Sequence, residues 1–203
     1  SDLSIAMEMF GSSGFADTLQ CEGNAVTIAS KDSATPKFGN YWEFTSGTYS
    51  TTLVGLNLSN TIANDIKVIG GGFNGDKSYV SKGVVASGSV PISLWMTNVT
   101  FSDFDFGSSY ALDIQTTTDS KATILKIIGC NFVSTCDYIQ TARGFGGTAT
   151  NKNVAFIGCG IDCEVFLDTV VSTQFVGNLI AKPVTGLNNI AYTSFIGKIG
   201  RAH

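Results

Sequence analysis

Four acidic residues in the second half of the chain have carboxylate side chains and a spacing that could support catalysis or metal binding. They are Asp113, Asp137, Glu164 and Asp168. Two carboxylates on neighbouring elements can hydrolyse a glycosidic bond, one as the acid and the other as the base or nucleophile, and clustered carboxylates can also bind Ca²⁺. Because Asp is a common turn residue, we favour the alternative that these acids lie on turns and solvated faces. We therefore predict no catalytic residues, and name these four as the catalytic set only for the case that the protein is a polysaccharide depolymerase.

Nucleophilic and metal-based chemistry have little support in the sequence. The one histidine is His203, so a Ser-His-Asp or Cys-His arrangement is not expected, and no phosphate-binding or zinc-protease motif occurs. Four of the five cysteines form a C-x5-C pair, Cys130 with Cys136, and a C-x3-C pair, Cys159 with Cys163. Zinc sites more often use C-x2-C spacing. We interpret these cysteines as buried apolar residues, with metal binding as the alternative, and predict no metal site and no cofactor.

Three loop-like stretches offer a different kind of site, one that binds without chemistry. They read NGDKSYVSKG (74–83), SDFDFGSSY (102–110) and ARGFGGTATNKN (142–153). Aromatic rings and acceptor carboxylates together suit a sugar-binding surface. The candidate glycan-binding residues are Tyr79, Asp103, Phe104, Asp105, Phe106 and Tyr110. The alternative is that these aromatic rings pack on the wall of the fold, as most phenylalanines do.

Composition narrows the class of protein. Only 14% of the residues are charged, the net charge is −4, and 23 are glycine, which is typical of an all-β chain with many turns. There are two arginines and no basic stripe, so we expect no nucleic-acid partner. No run of 18 apolar residues occurs, so no membrane insertion is expected. The first residues, SDLSIAMEMF, lack the basic region of a signal peptide, which together with the odd number of cysteines predicts folding in a reducing cytoplasm.

An internal repeat indicates the elements that must position these residues. Its core is two apolar residues, Gly or Asn, any residue, a residue that is usually small, and another apolar residue. The copies are LVGLNL (53–58), VIGGGF (68–73), MTNVTF (96–101), IIGCNF (127–132), FIGCGI (156–161) and FVGNLI (175–180). A second element follows in three units, as LDIQT (112–116), DYIQT (137–141) and VFLDT (165–169). Short apolar runs closed by Gly or Asn, with period-2 alternation, indicate strands. Units of this length predict a β-solenoid.

The repeat resembles the right-handed parallel β-helix family, the pectate-lyase-like solenoids. The resemblance implies three strands in each coil and stacked internal ladders, one of Phe73, Phe101, Phe132 and Ile161 and one of Ile114, Ile139 and Leu167. We therefore predict an all-β chain, with a right-handed parallel β-helix of about six coils over residues 51–203 and a capping or attachment segment over residues 1–50. The loops 74–83 and 102–110 would leave the same edge of successive coils. The Gly-His-Gly and Arg-x-Lys motifs of the polygalacturonase-like branch are absent.

In style the chain is similar to the tailspike and fibre modules of phage virions. That similarity implies a non-enzymatic virion protein, folded in the host cytoplasm, that binds a host-surface polysaccharide or decorates the particle. Its expected partners are two further copies in a homotrimer and other virion proteins. The alternatives are a polysaccharide depolymerase, which would be a glycoside hydrolase or lyase on the same fold, and a bacterial solenoid scaffold.

Overall fold

A computed structural model describes residues 7–10, 14–23, 26–29, 41–51, 54–58, 64–88, 92–116, 124–136, 138–141, 153–168, 172–187 and 192–197. These residues form 23 short strands in three sheets and contain no helix. Each third strand returns to the same sheet and pairs in parallel with the strand three before it. The chain is therefore a parallel β-solenoid, as the repeat predicts, and each coil passes through sheets A, B and C in turn.

Sheets A and B have eight strands each, and sheet C has seven. Sheet A contains β1 (Met7–Phe10), β4 (Val26–Ala29), β7 (Val54–Asn57), β10 (Lys82–Gly88), β13 (Tyr110–Thr116), β16 (Tyr138–Thr141), β19 (Glu164–Asp168) and β22 (Val184–Leu187). Sheet B contains β2 (Gly14–Asp17), β5 (Tyr41–Thr45), β8 (Asn64–Ile69), β11 (Ile92–Thr97), β14 (Ile124–Ile128), β17 (Asn153–Ile157), β20 (Ser172–Val176) and β23 (Tyr192–Ile196). Sheet C contains β3 (Gln20–Gly23), β6 (Thr48–Thr51), β9 (Gly72–Asn74), β12 (Thr100–Ser102), β15 (Asn131–Phe132), β18 (Gly160–Ile161) and β21 (Leu179–Ile180).

The boundary predicted at residue 51 is not a break in the sheets. Strands on its two sides pair in register, with Val26 opposite Leu56, Phe44 opposite Val68 and Tyr49 opposite Phe73. The strands from β7 onward account for the predicted six or so coils, and β1 to β6 add two more. The described part of residues 1–50 therefore extends the solenoid, because its strands supply the same ladder hydrogen bonds. A role of this segment in attachment stays a prediction.

The core is a set of ladders running along the solenoid axis. In sheet C, Tyr49, Phe73, Phe101 and Phe132 lie directly opposite one another on successive coils. Their ring centroids are 4.5, 5.1 and 4.7 Å apart and the planes are within 11° of parallel. Ile161 continues the row. This is the first predicted ladder, and its stacking follows from the roughly 4.8 Å spacing of parallel strands.

The second predicted ladder, of Ile114, Ile139 and Leu167, is wrong by two residues. Ile139 lies opposite Leu112 and Val165, whereas Ile114 and Leu167 lie opposite Thr141. The pairing of β13 with β16 is irregular between Tyr110 and Leu112, where the register shifts. A shift of two residues keeps the same side chains pointing inward, so the alternation in the sequence could not reveal the error.

The glycine of the repeat has a conformational cause. The chain turns from sheet B to sheet C at one position in each coil, and this residue has a positive φ, for example 55° at Asn98 and 61° at Gly129. Glycine adopts this left-handed conformation without steric cost, and asparagine tolerates it better than most residues. The third position of the repeat is therefore the corner of the solenoid in the copies from VIGGGF (68–73) onward. The copy LVGLNL (53–58) is wrong, because its third residue, Gly55, lies within β7 of sheet A.

Candidate functional site

Two long loops follow sheet C on adjacent coils, as the sequence predicts. Residues 75–81 join β9 to β10, and residues 103–109 join β12 to β13. Phe73 lies opposite Phe101 before the loops, and Lys82 lies opposite Tyr110 after them. Because both ends of the two loops are in register, the loops emerge along one edge of the solenoid. We call residues 75–81 and 103–109 together the loop flank.

Buried serines hold the two loops against each other. The backbone amide of Ser81 donates to Oγ of Ser109 at 2.9 Å, and that hydroxyl donates to the carbonyl of Phe106 at 2.6 Å. Both serines are 0% exposed. At the start of the loops, Oγ of Ser102 donates to Oδ1 of Asn74 at 2.7 Å. The loop flank is thus fixed at both ends by hydrogen bonds between its two coils, which are costly to break where they are buried.

The loops also approach each other too closely for larger residues. A Cβ placed on Gly75 would overlap the carbonyl oxygen of Asp103. A Cβ placed on Gly107 would lie 3.1 Å from Cγ2 of Val80. Glycine at these two positions therefore lets the loops pack side by side.

The aromatic residues of the predicted glycan site do not share one environment. Tyr79 is 62% exposed and Phe106 is 43% exposed, whereas Tyr110 is half-buried. Phe104 is 0% exposed, so its predicted place on the binding surface is wrong. Its ring packs against Phe101 at a centroid distance of 6.4 Å, and its backbone bridges to Cys136. The preceding residue, Asp103, has a left-handed φ of 61°. The chain therefore turns at Asp103, and Phe104 follows this turn inside the solenoid.

Val80 completes an exposed apolar patch that the sequence analysis missed. Val80 is 44% exposed and lies against Gly107. Tyr79 precedes Val80 and Phe106 precedes Gly107, so the contact places the two aromatic residues on neighbouring loop tips. The signal in the sequence was an apolar residue inside a polar loop, but nothing local showed that it would face water. We call Tyr79, Val80 and Phe106 the aromatic patch.

Both loops of the loop flank carry carboxylates. Oδ1 of Asp103 forms an ion pair with Nζ of Lys77 at 3.2 Å. Oδ1 of Asp76 accepts a hydrogen bond from the amide of Ser78 at 2.7 Å. Asp105 is exposed and makes no ion pair with any described residue. Asp103 and Asp105, two predicted partners of a sugar, therefore lie on the same loop as Phe106 of the patch.

The carboxylates of the alternative catalytic set are not brought together where the structure describes them. Asp113 is 2% exposed and forms an ion pair with Lys82, whose Nζ also lies 5.6 Å from the centre of the Tyr110 ring. Glu164 lies two coils further along, where Oε1 accepts a hydrogen bond from Oγ1 of Thr185 at 3.1 Å. By strand spacing and rise, the Cα atoms of Asp113 and Glu164 are about 12 Å apart.

The other two acids of that set lie partly or wholly outside the described residues. Asp137 lies outside the described residues, and Asp168 ends β19 but its side chain also lies outside them. The loop 142–153 lies outside the described residues as well, apart from Asn153 in β17. The prediction of no catalytic residues therefore stays a prediction, and so does the depolymerase alternative that names these acids.

The cysteines of the repeat are part of the core. Cys130, Cys136, Cys159 and Cys163 are buried free thiols, as predicted. Burial raises the pKa of the Cys130 thiol to about 12, and it raises the pKa of Cys159 in the same direction. Sγ of Cys159 contacts the carbonyl of Ile127 at 3.3 Å. Among the described ranges, no group of three or more His, Cys, Asp or Glu side chains is arranged to hold a metal ion.

A groove adjoins the loop flank on the next coils. It has a volume of about 310 Å³ and lies over β15, β18 and β21. Val133, Ser134, Asp162 and Leu179 are among its lining residues, and Leu179 is 59% exposed. The amide of Asp103 donates to Oγ1 of Thr135 at 2.8 Å, so the loop flank touches the turn that lines this groove. The groove therefore lies on the coils next to the loop flank, with the contact between Asp103 and Thr135 between them.

Where the structure describes the chain, it has no helix long and apolar enough to cross a membrane. No protein-family model, no curated protein and no solved structure matches this chain.

Proposed function

We propose that this protein is a non-enzymatic structural and adhesion module of a phage virion, such as a tailspike or fibre module, that binds a host-surface polysaccharide through its loop flank. The observation that carries the proposal is the aromatic patch. Tyr79 and Phe106 are exposed by 62% and 43% on neighbouring loop tips of a rigid solenoid. In the wider proposal the module is a homotrimer, is located in the virion and contacts other virion proteins.

Exposed aromatic rings on a well-ordered scaffold favour recognition over simple packing. Loops on a rigid framework are common places for binding residues, and contiguous exposed apolar groups often mark interaction sites. The buried hydrogen bonds of Ser81 and Ser109 hold the loops in place. A preorganised surface has less conformational entropy to lose when a ligand binds. The flank is therefore suited to a ligand that stacks on the two rings.

A polymeric ligand fits the extent of this surface. The groove over β15, β18 and β21 is lined by Ser134, the neighbour of Thr135, and Thr135 accepts a hydrogen bond from the amide of Asp103 in the loop flank. The coils repeat about every 4.8 Å, so the groove extends the contact surface by about 10–14 Å beyond the loops. A saccharide chain can stack on the aromatic patch and continue into the groove, whereas a single small ligand would use only one part.

The test is the double variant Tyr79→Ser/Phe106→Ser in a binding assay with host cells and isolated surface polysaccharide. We expect binding to weaken by about tenfold or more, because aromatic residues dominate the binding energy of such patches. The melting temperature should stay within a few degrees, because both side chains are exposed. The matched control is Phe15→Ser, since Phe15 is 62% exposed in sheet B, away from the loop flank. Unchanged binding by the double variant would refute the proposal.

A further inference from the structure

We infer that the glycan bound at the loop flank is a neutral, hydroxyl-rich polysaccharide that carries no carboxylate, sulfate or phosphate group. This inference rests on the proposed function and deepens it by naming the class of ligand. It follows from the charges around the aromatic patch and from which of them already have partners.

The loop flank is acidic, and its cations are already paired. Lys77 is 3.2 Å from Asp103, and Lys82, at the end of the first loop, forms its ion pair with Asp113. Two carboxylates, Asp76 and Asp105, have no cation opposite them in the described residues. An approaching anionic group would therefore meet net negative charge at the patch.

Among the described residues, the next lysine on this edge of the solenoid is too far away to compensate. Asp162 lines the groove that adjoins the loops, and it adds a further acid. Lys182 follows β21, three coils beyond the loop 103–109, which is about 14 Å at about 4.8 Å per coil. At this separation Lys182 is out of ion-pair reach of Asp105, and at 150 mM salt its charge is largely screened at the patch, because the screening length is then about 8 Å.

Hydrogen-bond chemistry leads to the same class of ligand. Ionised carboxylates only accept hydrogen bonds, and sugar hydroxyls can donate to them. Asp105 is exposed beside Phe106, so a sugar ring stacked on that phenylalanine can direct a hydroxyl to the carboxylate. A uronate or a sulfated sugar would instead place its own anionic oxygens against the carboxylate of Asp105. Both groups only accept hydrogen bonds, so each would have to keep its water shell and no direct bond would form.

The experiment compares neutral polysaccharides with charged versions of the same backbone. Dextran, mannan and galactan serve as probes, together with host-surface polysaccharide, each before and after carboxymethylation, at 20 mM and 150 mM salt. The full chain, Asp105→Asn, Asp105→Lys and Tyr79→Ser/Phe106→Ser are measured in parallel. We expect at least one neutral probe to bind, and its carboxymethylated form to bind about tenfold more weakly at low salt. The difference in affinity between the neutral and the carboxymethylated probe should narrow at high salt, because screening weakens the repulsion. It should also narrow in the Asp105→Lys variant.

The outcomes separate this inference from the function it rests on. If the carboxymethylated form binds as tightly as the neutral one, and the aromatic double variant abolishes both, the class of ligand is wrong and the glycan-binding function stands. If no probe binds, or if binding survives the aromatic double variant, the proposed function fails and this inference fails with it. If Asp105→Lys leaves the preference for the neutral form unchanged, the flank charge is not its cause and the inference is overturned.

Discussion

The aromatic ladder of sheet C can be tested with Phe101→Ala. Phe101 is 0% exposed and lies inside the row of four rings. It stacks on Phe73 at 5.1 Å and on Phe132 at 4.7 Å, and the buried ring of Phe104 is tilted against it at 6.4 Å. The substitution therefore removes a ring that contacts three others.

The expected magnitude follows from these contacts. Truncating a fully buried phenylalanine to alanine typically costs about 3–5 kcal/mol, because the transfer energy is lost and a cavity is left. We expect a loss of this size for Phe132→Ala, since Phe132 stacks on one ring, that of Phe101. Phe101 has stacked rings on both sides, and each such pair adds about 0.5–1.5 kcal/mol beyond burial. We therefore expect Phe101→Ala to cost about 1 kcal/mol more than Phe132→Ala.

The assay is equilibrium unfolding in denaturant, followed by both circular dichroism and fluorescence to test whether the transition is cooperative. Phe106→Ala is the matched control, because its ring is 43% exposed and should change the free energy of unfolding by less than about 1 kcal/mol. A loss below about 1 kcal/mol for Phe101→Ala would refute the ladder. Equal losses for Phe101→Ala and Phe132→Ala would refute the contribution of the second stacked ring.

Four further predictions concern the thiols, the activity and the assembly. Burial raises the pKa of Cys130 from 9.0 to about 12 in the folded protein, so this thiol ionises first in the unfolded chain. The free energy of unfolding should therefore fall as the pH rises from about 9 towards 12. The variant Cys130→Ala/Cys159→Ala should show a smaller fall in a pH series of unfolding measurements, and an equal fall would contradict this cause. All five cysteines should react with a thiol reagent after denaturation without reductant, and one or three reactive thiols would reveal disulfides. We expect no shortening of host capsule or lipopolysaccharide in a turnover assay, and a cleavage that Asp113→Asn or Asp137→Asn abolishes would replace the adhesion proposal with the depolymerase. Mass photometry should show a trimer, whereas a monomer would favour a free enzyme or a scaffold.

The part of the fold that was predictable is the part encoded by neighbouring residues. The alternation of Leu125, Lys126 and Ile127 appears in β14 as buried, half-buried and buried positions. The aligned phenylalanines of the repeat predicted the stack of Phe73, Phe101 and Phe132, which the ring distances confirm. These features depend on period and on corner geometry, and each coil repeats them.

The candidate site was predicted less completely, because loops do not repeat. Phe104 and Phe106 both follow an aspartate in the same loop, yet one is buried and the other is 43% exposed. Val80 was missed, although it belongs to the exposed patch. A second stack, of Phe156, Phe175 and Phe195 in sheet B, was also missed. Such differences depend on which side chains of the neighbouring coil are met, and no local pattern records that.

The sequence by itself determined that this chain is a stack of short parallel strands. Runs of four to six apolar residues closed by Gly or Asn cannot bury their apolar face alone, and a repeating unit of this length buries it only against its neighbours. The tertiary structure alone decided the register of Ile114 against Thr141, the continuity of the sheets through residue 51, and the burial of Phe104. All three are set by contacts between coils that lie about 20–30 residues apart in the chain, and a shift of two residues there preserves every inward-facing position.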